Sequence, residues 1–251
     1  MVVKGKLTRE EVVIISKGLL SPKNFKSDIE DSLKNLNMRN VDIYLIHDHE
    51  KFFVNFDSSS AKKTTENIIK HLEDNAEKSK IKYYGISIGD YYLMENKFLY
   101  PNLEEIYSIA EKVAGSKNHF KVVELPLNIV RPEALIQKDQ KIKEKKLSLI
   151  EAAHDLNLNV ISTETLCRGS VSAHPLLNKI DGATLFQKEI QLMRSLPNIT
   201  TALFGSKNPA HVKENMKVRE LPCINHKRAL DTFLNVTSDL KKEWWIKKAS
   251  R

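Results

Sequence analysis

The chain has 251 residues and a mass of 28.8 kDa, a length that suits one α/β barrel or two smaller domains. Its 41% apolar and 29% charged residues can bury a large core, which argues against a disordered chain, and the separated cysteines Cys167 and Cys223 exclude a cysteine-rich zinc module and give no sign of a disulfide scaffold. The net charge of +8 raises nucleic acid as a partner, yet Lys outnumbers Arg by 32 to 8 and no zinc-finger, RRM-like or helix-turn-helix pattern accompanies it.

Short β-branched runs alternate with amphipathic stretches along the chain. A first strand is expected at 12–16, then a helix at 25–36 with Phe25, Ile29, Leu33 and Leu36 on one face. A second strand at 41–46 precedes a helix at 64–78, where Ile68, Ile69, Leu72 and Ala76 fall together. The third strand, 83–87, leads to a helix at 102–113 that opens on an Asn102 cap and Glu104-Glu105. Strands at 121–125, 159–162 and 200–204 alternate with helices at 147–156 and 183–196. Strand starts lie 29 to 42 residues apart, which leaves room for one helix and two loops each time and predicts a parallel sheet with right-handed crossovers.

Half of the net charge falls in residues 226–251, with seven Lys/Arg against three Asp/Glu, and residues 138–146 carry five lysines against two acids. Such runs are expected to be solvated helix faces and loops. No Pro/Gly/Ser linker divides the chain, so residues 1–251 read as one domain, with 219–251 a basic helical extension over Trp244 or Trp245. The longest uncharged run, 195–206, is too short to span a bilayer, and the first six residues lack the apolar core of a secretory signal. A cytoplasmic protein without membrane or nucleic-acid partners is the expectation.

A dinucleotide sheet would carry G-x-G-x-x-G after an early strand, and the eight glycines are scattered instead. A barrel remains, whose chemistry lies on the residues that follow each strand. Those are Ser16-Lys17, His47-Asp48-His49-Glu50, Ser87, Glu124 with Asn128, Thr163-Glu164 and Gly205-Ser206-Lys207. Lys17 and His47 end adjacent strands and are expected to converge.

The lysine strand at 9–17, the helix and Leu45-Ile46-His47 strand at 32–47, the strand at 81–87 and the block Gly205-Ser206-Lys207 to Glu214-Asn215 resemble the aldo-keto reductases in this order over about residues 9–218. The resemblance implies a TIM (β/α)8-type barrel and NADPH, or NADH, as cofactor for reducing an aldehyde or ketone or oxidising an alcohol. It implies that Lys17 is the cation beside a tyrosine general acid and that His47 orients and polarises the substrate carbonyl. Ser87 and Glu124 correspond to the positions that hold the nicotinamide carboxamide. Ser206 and Lys207 correspond to the 2′-phosphate loop, and His211, Glu214 and Asn215 to residues around that phosphate and the adenine.

The sequence departs from the family at named places. Its aspartate and tyrosine belong to units ahead of the lysine strand, so about six of eight βα units are expected, N-terminally incomplete, with little turnover by this chain alone. An upstream true start is the favoured explanation; a companion chain or second copy covering the open edges, or a non-catalytic nucleotide-binding or redox-sensing relative, are the others. Thr163 stands where an aromatic ring stacks, Glu124 replaces a glutamine and Ile88 an asparagine. His47-x-His49 also resembles the metal pair of amidohydrolase barrels, but the later strands end without the histidines and aspartate such a site needs, and no metal is expected.

Overall fold

A computed structural model describes residues 8–19, 25–89, 102–169 and 174–249, with side chains as far as Lys242. Two units can be traced, Met1–Glu124 with Leu156–Leu158, and Leu125–Asp155 with Asn159–Arg251. Trp244 and Trp245, expected to pack under the terminal helix, have side chains outside the described residues.

In the first unit the β-branched runs form parallel strands β1 (Ile15–Gly18), β2 (Val41–His47), β3 (Ile81–Ser87) and β4 (Phe120–Pro126). Ile15 pairs with Ile43, His47 with Ser87, and Ser87 with Glu124, so the polar residues at the strand ends fall in one row. Both faces of this ladder are covered: Leu45, Ile46, Ile86 and Val123 are all buried, as adjacent residues are in a parallel sheet between two layers. Helices α1 (Phe25–Leu36), α2 (Lys51–Asn55), α3 (Ser58–Glu77) and α4 (Leu103–Ala114) complete the unit. The expected stripes are the buried ones, with Ile29 and Leu33 on α1, Ile68, Ile69 and Leu72 on α3, and Ile106 and Ala110 on α4. Each such aliphatic side chain contributes roughly 1.5–3 kcal/mol when fully buried. Asn102 caps α4 by accepting from the Glu105 amide at 3.1 Å.

Gly85 marks a shift in the β3–β4 register. A Cβ there would lie 1.8 Å from the Val122 carbonyl oxygen, so only glycine lets the two backbones approach this closely.

Some element boundaries differ from the sequence reading. The first ladder is Ile15–Gly18 rather than 12–16, because a tight turn at Arg9–Glu11 delays it, and Lys17 therefore lies within the strand. The helix expected from 64 starts at Ser58, where Asp57 caps it by accepting from the Ser60 amide at 3.0 Å. The short α2 was not expected.

The second unit holds α5 (Glu133–Ile136), an antiparallel hairpin of β5 (Gln140–Ile142) and β6 (Lys145–Leu147), then α6 (Leu149–Asp155) and β7 (Asn159–Thr163). The lysine run at 138–146 is this hairpin, which the sequence reading left out. Its cations pair with α6, Lys138 with Glu151 and Lys145 with Asp155. Further along lie α7 (Leu185–Arg194), β8 (Thr201–Ala202), α8 (Pro209–Met216) and α9 (His226–Ala249). β8 runs parallel to β7, with Ile161 opposite Thr201, and is shorter than the 200–204 expected. Polar side chains of α7 tie down the later elements: Gln187 donates to the Glu214 carbonyl at 2.8 Å and Gln191 to the Pro222 carbonyl at 2.5 Å. Ala229, Phe233 and Val236 of α9 are buried, and the Thr237 hydroxyl donates to the Ile129 carbonyl. No helix among the described residues is long and apolar enough to cross a membrane.

Candidate functional site

In the first unit the strand register brings three of the expected residues together. Lys17 Nζ donates to Glu124 Oε1 at 2.6 Å, and Ser87 Oγ donates to the same oxygen at 2.7 Å. Ser87 and Glu124 are buried, whereas the Lys17 side chain is 40% exposed. Charge-assisted bonds of this length are the strong ones, so the cluster is held firmly. His47 ends the neighbouring strand beside Ser87, but its ring turns to its own loop, with Nε2 3.5 Å from Asp48 Oδ1. Asp48 adopts a left-handed backbone at φ 50° and is also paired with Lys51. Ile88, at the position expected to carry an amide, bonds through its backbone amide to the Glu124 carbonyl at 2.8 Å.

The other titratable groups nearby are structural. His49 bonds through Nε2 to the Thr65 hydroxyl at 3.0 Å and packs edge-on against Phe52 and Phe53; burial pushes its pKa down to about 3. It is therefore neutral, with its Nε2 engaged by Thr65. No group of three His, Cys, Asp or Glu able to hold a metal occurs among the described residues. Tyr44 lies with its hydroxyl 3.3 Å from Ser32 Oγ of α1, and burial pushes its phenol up to about 12. Burial and its bond to Glu73 push the Tyr84 phenol far up as well.

The second unit contains a cavity of about 370 Å³ whose lining includes Ser206, His211, Glu214 and Asn215. Ser206 Oγ accepts from the Asn208 amide at 3.1 Å, and Asn208 caps α8 by accepting from the Ala210 amide at 2.9 Å, with Pro209 in the first turn. Asn215 is buried, and the Glu214 backbone is fixed by Gln187. Lys207 is exposed and does not line the cavity.

The loop after β7 supplies the remaining wall, with Glu164, Thr165 and Arg168, residues to which the sequence reading gave no binding role. Glu164 accepts from Arg131 at 2.9 Å and from Arg168 Nε at 2.9 Å. Burial works against its carboxylate, but the two guanidiniums outweigh that and hold its pKa below the usual value. Thr165 is 1% exposed, and its hydroxyl has no hydrogen-bond partner among the described residues. Glu164, Cys167 and Arg168 all have left-handed backbones, at φ 55°, 48° and 56°. The visible signal was only the general rule that residues after a strand carry chemistry.

Residues 2–185 match the profile of the Aldo/keto reductase family. The chain belongs to that family of oxidoreductases. No curated protein matches it. Among solved structures, a putative 2,5-diketo-D-gluconic acid reductase B superposes with a TM-score of 0.64 at 18% identity, covering 92% of this chain and 69% of the other. The holo form of aldo-keto reductase AKR11C1 from Bacillus halodurans gives 0.61 at 15% identity, covering 92% and 74%. The thermostable aldo-keto reductase Tm1743 with the inhibitor epalrestat gives 0.62 at 19% identity, covering 92% and 73%. This likeness shows the fold: α/β, of the TIM (β/α)8-barrel type.

The family implies a nicotinamide dinucleotide, and the two units differ in how their residues suit one. The cavity of the second unit suits phosphate groups, because the buried Thr165 hydroxyl has no partner among the described residues and Arg168, Ser206 and His211 lie on the wall. In the first unit Ser87 and Glu124 are engaged with each other and with Lys17 through Glu124 Oε1.

Proposed function

We propose that this aldo-keto reductase binds NADPH, with NADH the lesser alternative, and interconverts an aldehyde or ketone with its alcohol. What supports the reading is the cavity of the second unit, whose lining joins Thr165 and Arg168 of the loop after β7 with Ser206 and with His211 and Asn215 of α8. When bound, the cofactor supplies or accepts the hydride. Ser206, Lys207 and His211 take the 2′-phosphate, Glu214 and Asn215 the adenosine, and Thr165 and Arg168 a phosphate of the dinucleotide bridge. In the first unit His47 donates from Nε2 to the substrate carbonyl oxygen and draws electron density from it. Lys17 supplies positive charge beside Glu124.

Turnover is slow in this reading, because the phenols of Tyr44 and Tyr84 are pushed up and bonded elsewhere. Loss of a general acid costs about 10²–10⁴-fold. The protein works in the cytoplasm on small carbonyl compounds or alcohols. Calorimetric titration with NADPH tests the binding half; a folded sample that gives no saturable heat refutes it. Loss of NADPH absorbance with a reactive aldehyde tests the chemistry.

One observation favours a second reading, a nucleotide-binding subunit without turnover. Lys17 is bonded to a carboxylate and not to a phenol. Saturable NADPH binding with no aldehyde reduction, and recovery of a stable companion chain, are its expected results.

A further inference from the structure

We infer that His119 is an activated imidazole nucleophile that takes up an acyl group from small activated esters, in a groove at the starts of the strands of the first unit. The inference does not depend on the dinucleotide reading. Asn40, Ser79 and His119 come just before β2, β3 and β4, and with Asp42, Lys82 and Tyr83 they line an open cavity of about 460 Å³. The strands are parallel, so this groove lies at the end of the ladder opposite to Lys17, Ser87 and Glu124. Barrels of this type carry their active sites at those other strand ends, which makes the groove a separate site.

The way His119 is held sets it apart. Glu73 of α3 is buried and accepts three bonds, from the Tyr84 hydroxyl at 2.7 Å, the His119 backbone amide at 2.9 Å and His119 Nδ1 at 2.6 Å. The His119 carbonyl in turn accepts from the Tyr84 amide at 3.0 Å. A carboxylate has no proton to give, so Nδ1 carries the hydrogen and the lone pair of the neutral ring sits on Nε2. No lysine or arginine pairs with Glu73 among the described residues, so its charge is directed at the ring. Nε2 has no partner among the described residues, and the His119 side chain is 36% exposed. The backbone and one ring nitrogen are fixed, and the reactive nitrogen is left for the groove.

The chemistry this arrangement supports is nucleophilic acyl transfer. The Nε2 lone pair bonds to the acyl carbon of an aryl ester, and the bond to the aryl oxygen breaks with its electron pair on the leaving aryl oxide. The ring becomes an acyl-imidazolium, whose positive charge meets the Glu73 carboxylate through Nδ1–H. Water then attacks the acyl carbon, the C–N electron pair returns to Nε2, and the displaced proton goes to the aryl oxide. Lys82, with its ammonium 5.4 Å from the centre of the Tyr83 ring, adds positive charge on the lining for an anionic leaving group. Asp42 on the same lining is paired with Arg9 at 2.9 Å, which offsets its charge. His119 is the nucleophile, and Glu73 is a positioning residue.

The experiment treats the full chain with diethyl pyrocarbonate, an acylating probe, and times the modification of each histidine by peptide mass spectrometry. Release of p-nitrophenolate from p-nitrophenyl acetate follows turnover. Exposure alone ranks the exposed His154 ahead of the half-buried His119. One charge-assisted bond strengthened in the transition state reverses that order, and His119 should react about tenfold faster than His154. His119→Gln should lose most of the p-nitrophenolate release. Glu73→Gln should lower the rate of His119 relative to His154 about tenfold. A Glu73 that serves only as a bracket between α3 and β4 predicts the opposite, because loosening it exposes the ring and speeds its modification. A wild type in which His154 reacts as fast as His119 or faster overturns the inference, as does a folded Glu73→Gln protein whose ratio stays or rises. Release of p-nitrophenolate by His119→Gln at the wild-type rate overturns it too. Should Glu73→Gln not fold, the wild-type ratio and His119→Gln decide by themselves.

Discussion

Glu189 on α7 offers a quantitative test of how burial acts in the second unit. It is 1% exposed, and neither carboxylate oxygen has a hydrogen-bond partner among the described residues. Burial pushes its pKa from the ordinary 4.5 up to about 8. Between those values the folded chain keeps a proton that the unfolded chain has released. Its contribution to stability is therefore complete below about pH 4.5 and is lost as the pH rises through 8. The slope is about 1.4 kcal/mol per pH unit, so some 3 kcal/mol has gone by pH 7 as an upper bound. Glu189→Gln keeps the shape and cannot ionise. Urea unfolding followed by circular dichroism at pH 5, 6, 7 and 8 should give nearly equal stabilities at pH 5 and a steadily growing advantage for the variant above it. The Cys167 thiol gives an independent readout, since burial first and the charges of Glu189 and Glu164 next push it up to about 12. In Glu189→Gln that thiol should react faster with a disulfide reagent at high pH. A stability difference that does not change with pH refutes the reasoning.

Other perturbations test the first unit. Gly85→Ala places a Cβ 1.8 Å from the Val122 carbonyl oxygen and should cost about 3 kcal/mol or more, read as a collapse of the unfolding midpoint. Tyr84→Phe removes the donor at 2.7 Å from Glu73 Oε1, which still accepts from the His119 amide at 2.9 Å; a loss of about 1–2 kcal/mol in urea unfolding is expected. Asn102→Ala removes the cap of α4 and should cost about 1 kcal/mol, seen in the same assay.

The sequence was most legible where local chemistry and packing agree. The stripe Ile29–Leu33 marked α1, and the Asn102 cap with its following acids marked α4, because cap and stripe act over a single turn or two. Where a polar run conceals an element, the reading failed: Ser58-Ser59-Ser60 looks like a loop until Asp57 is seen to cap it. The hairpin of β5 and β6 has three residues in each strand, too few to show alternation among five lysines. The candidate site was legible as residue identities and hidden as contacts. Lys17 and Glu124 are 107 residues apart, and only the register of four strands turns them into partners. Arg168 and Thr165 gain meaning from the cavity they line, and Glu189 reads as a surface acid until α7 is seated.

The left-handed residues Glu164, Cys167 and Arg168 reach beyond the shape of one loop. Side-chain-bearing residues pay about 1–2 kcal/mol for that backbone, and glycine pays almost none. Random substitution there should thus favour glycine for folding while removing the guanidinium that Glu164 grips. Evolutionary drift toward a more stable protein and retention of this cavity wall pull in opposite directions at the same few codons.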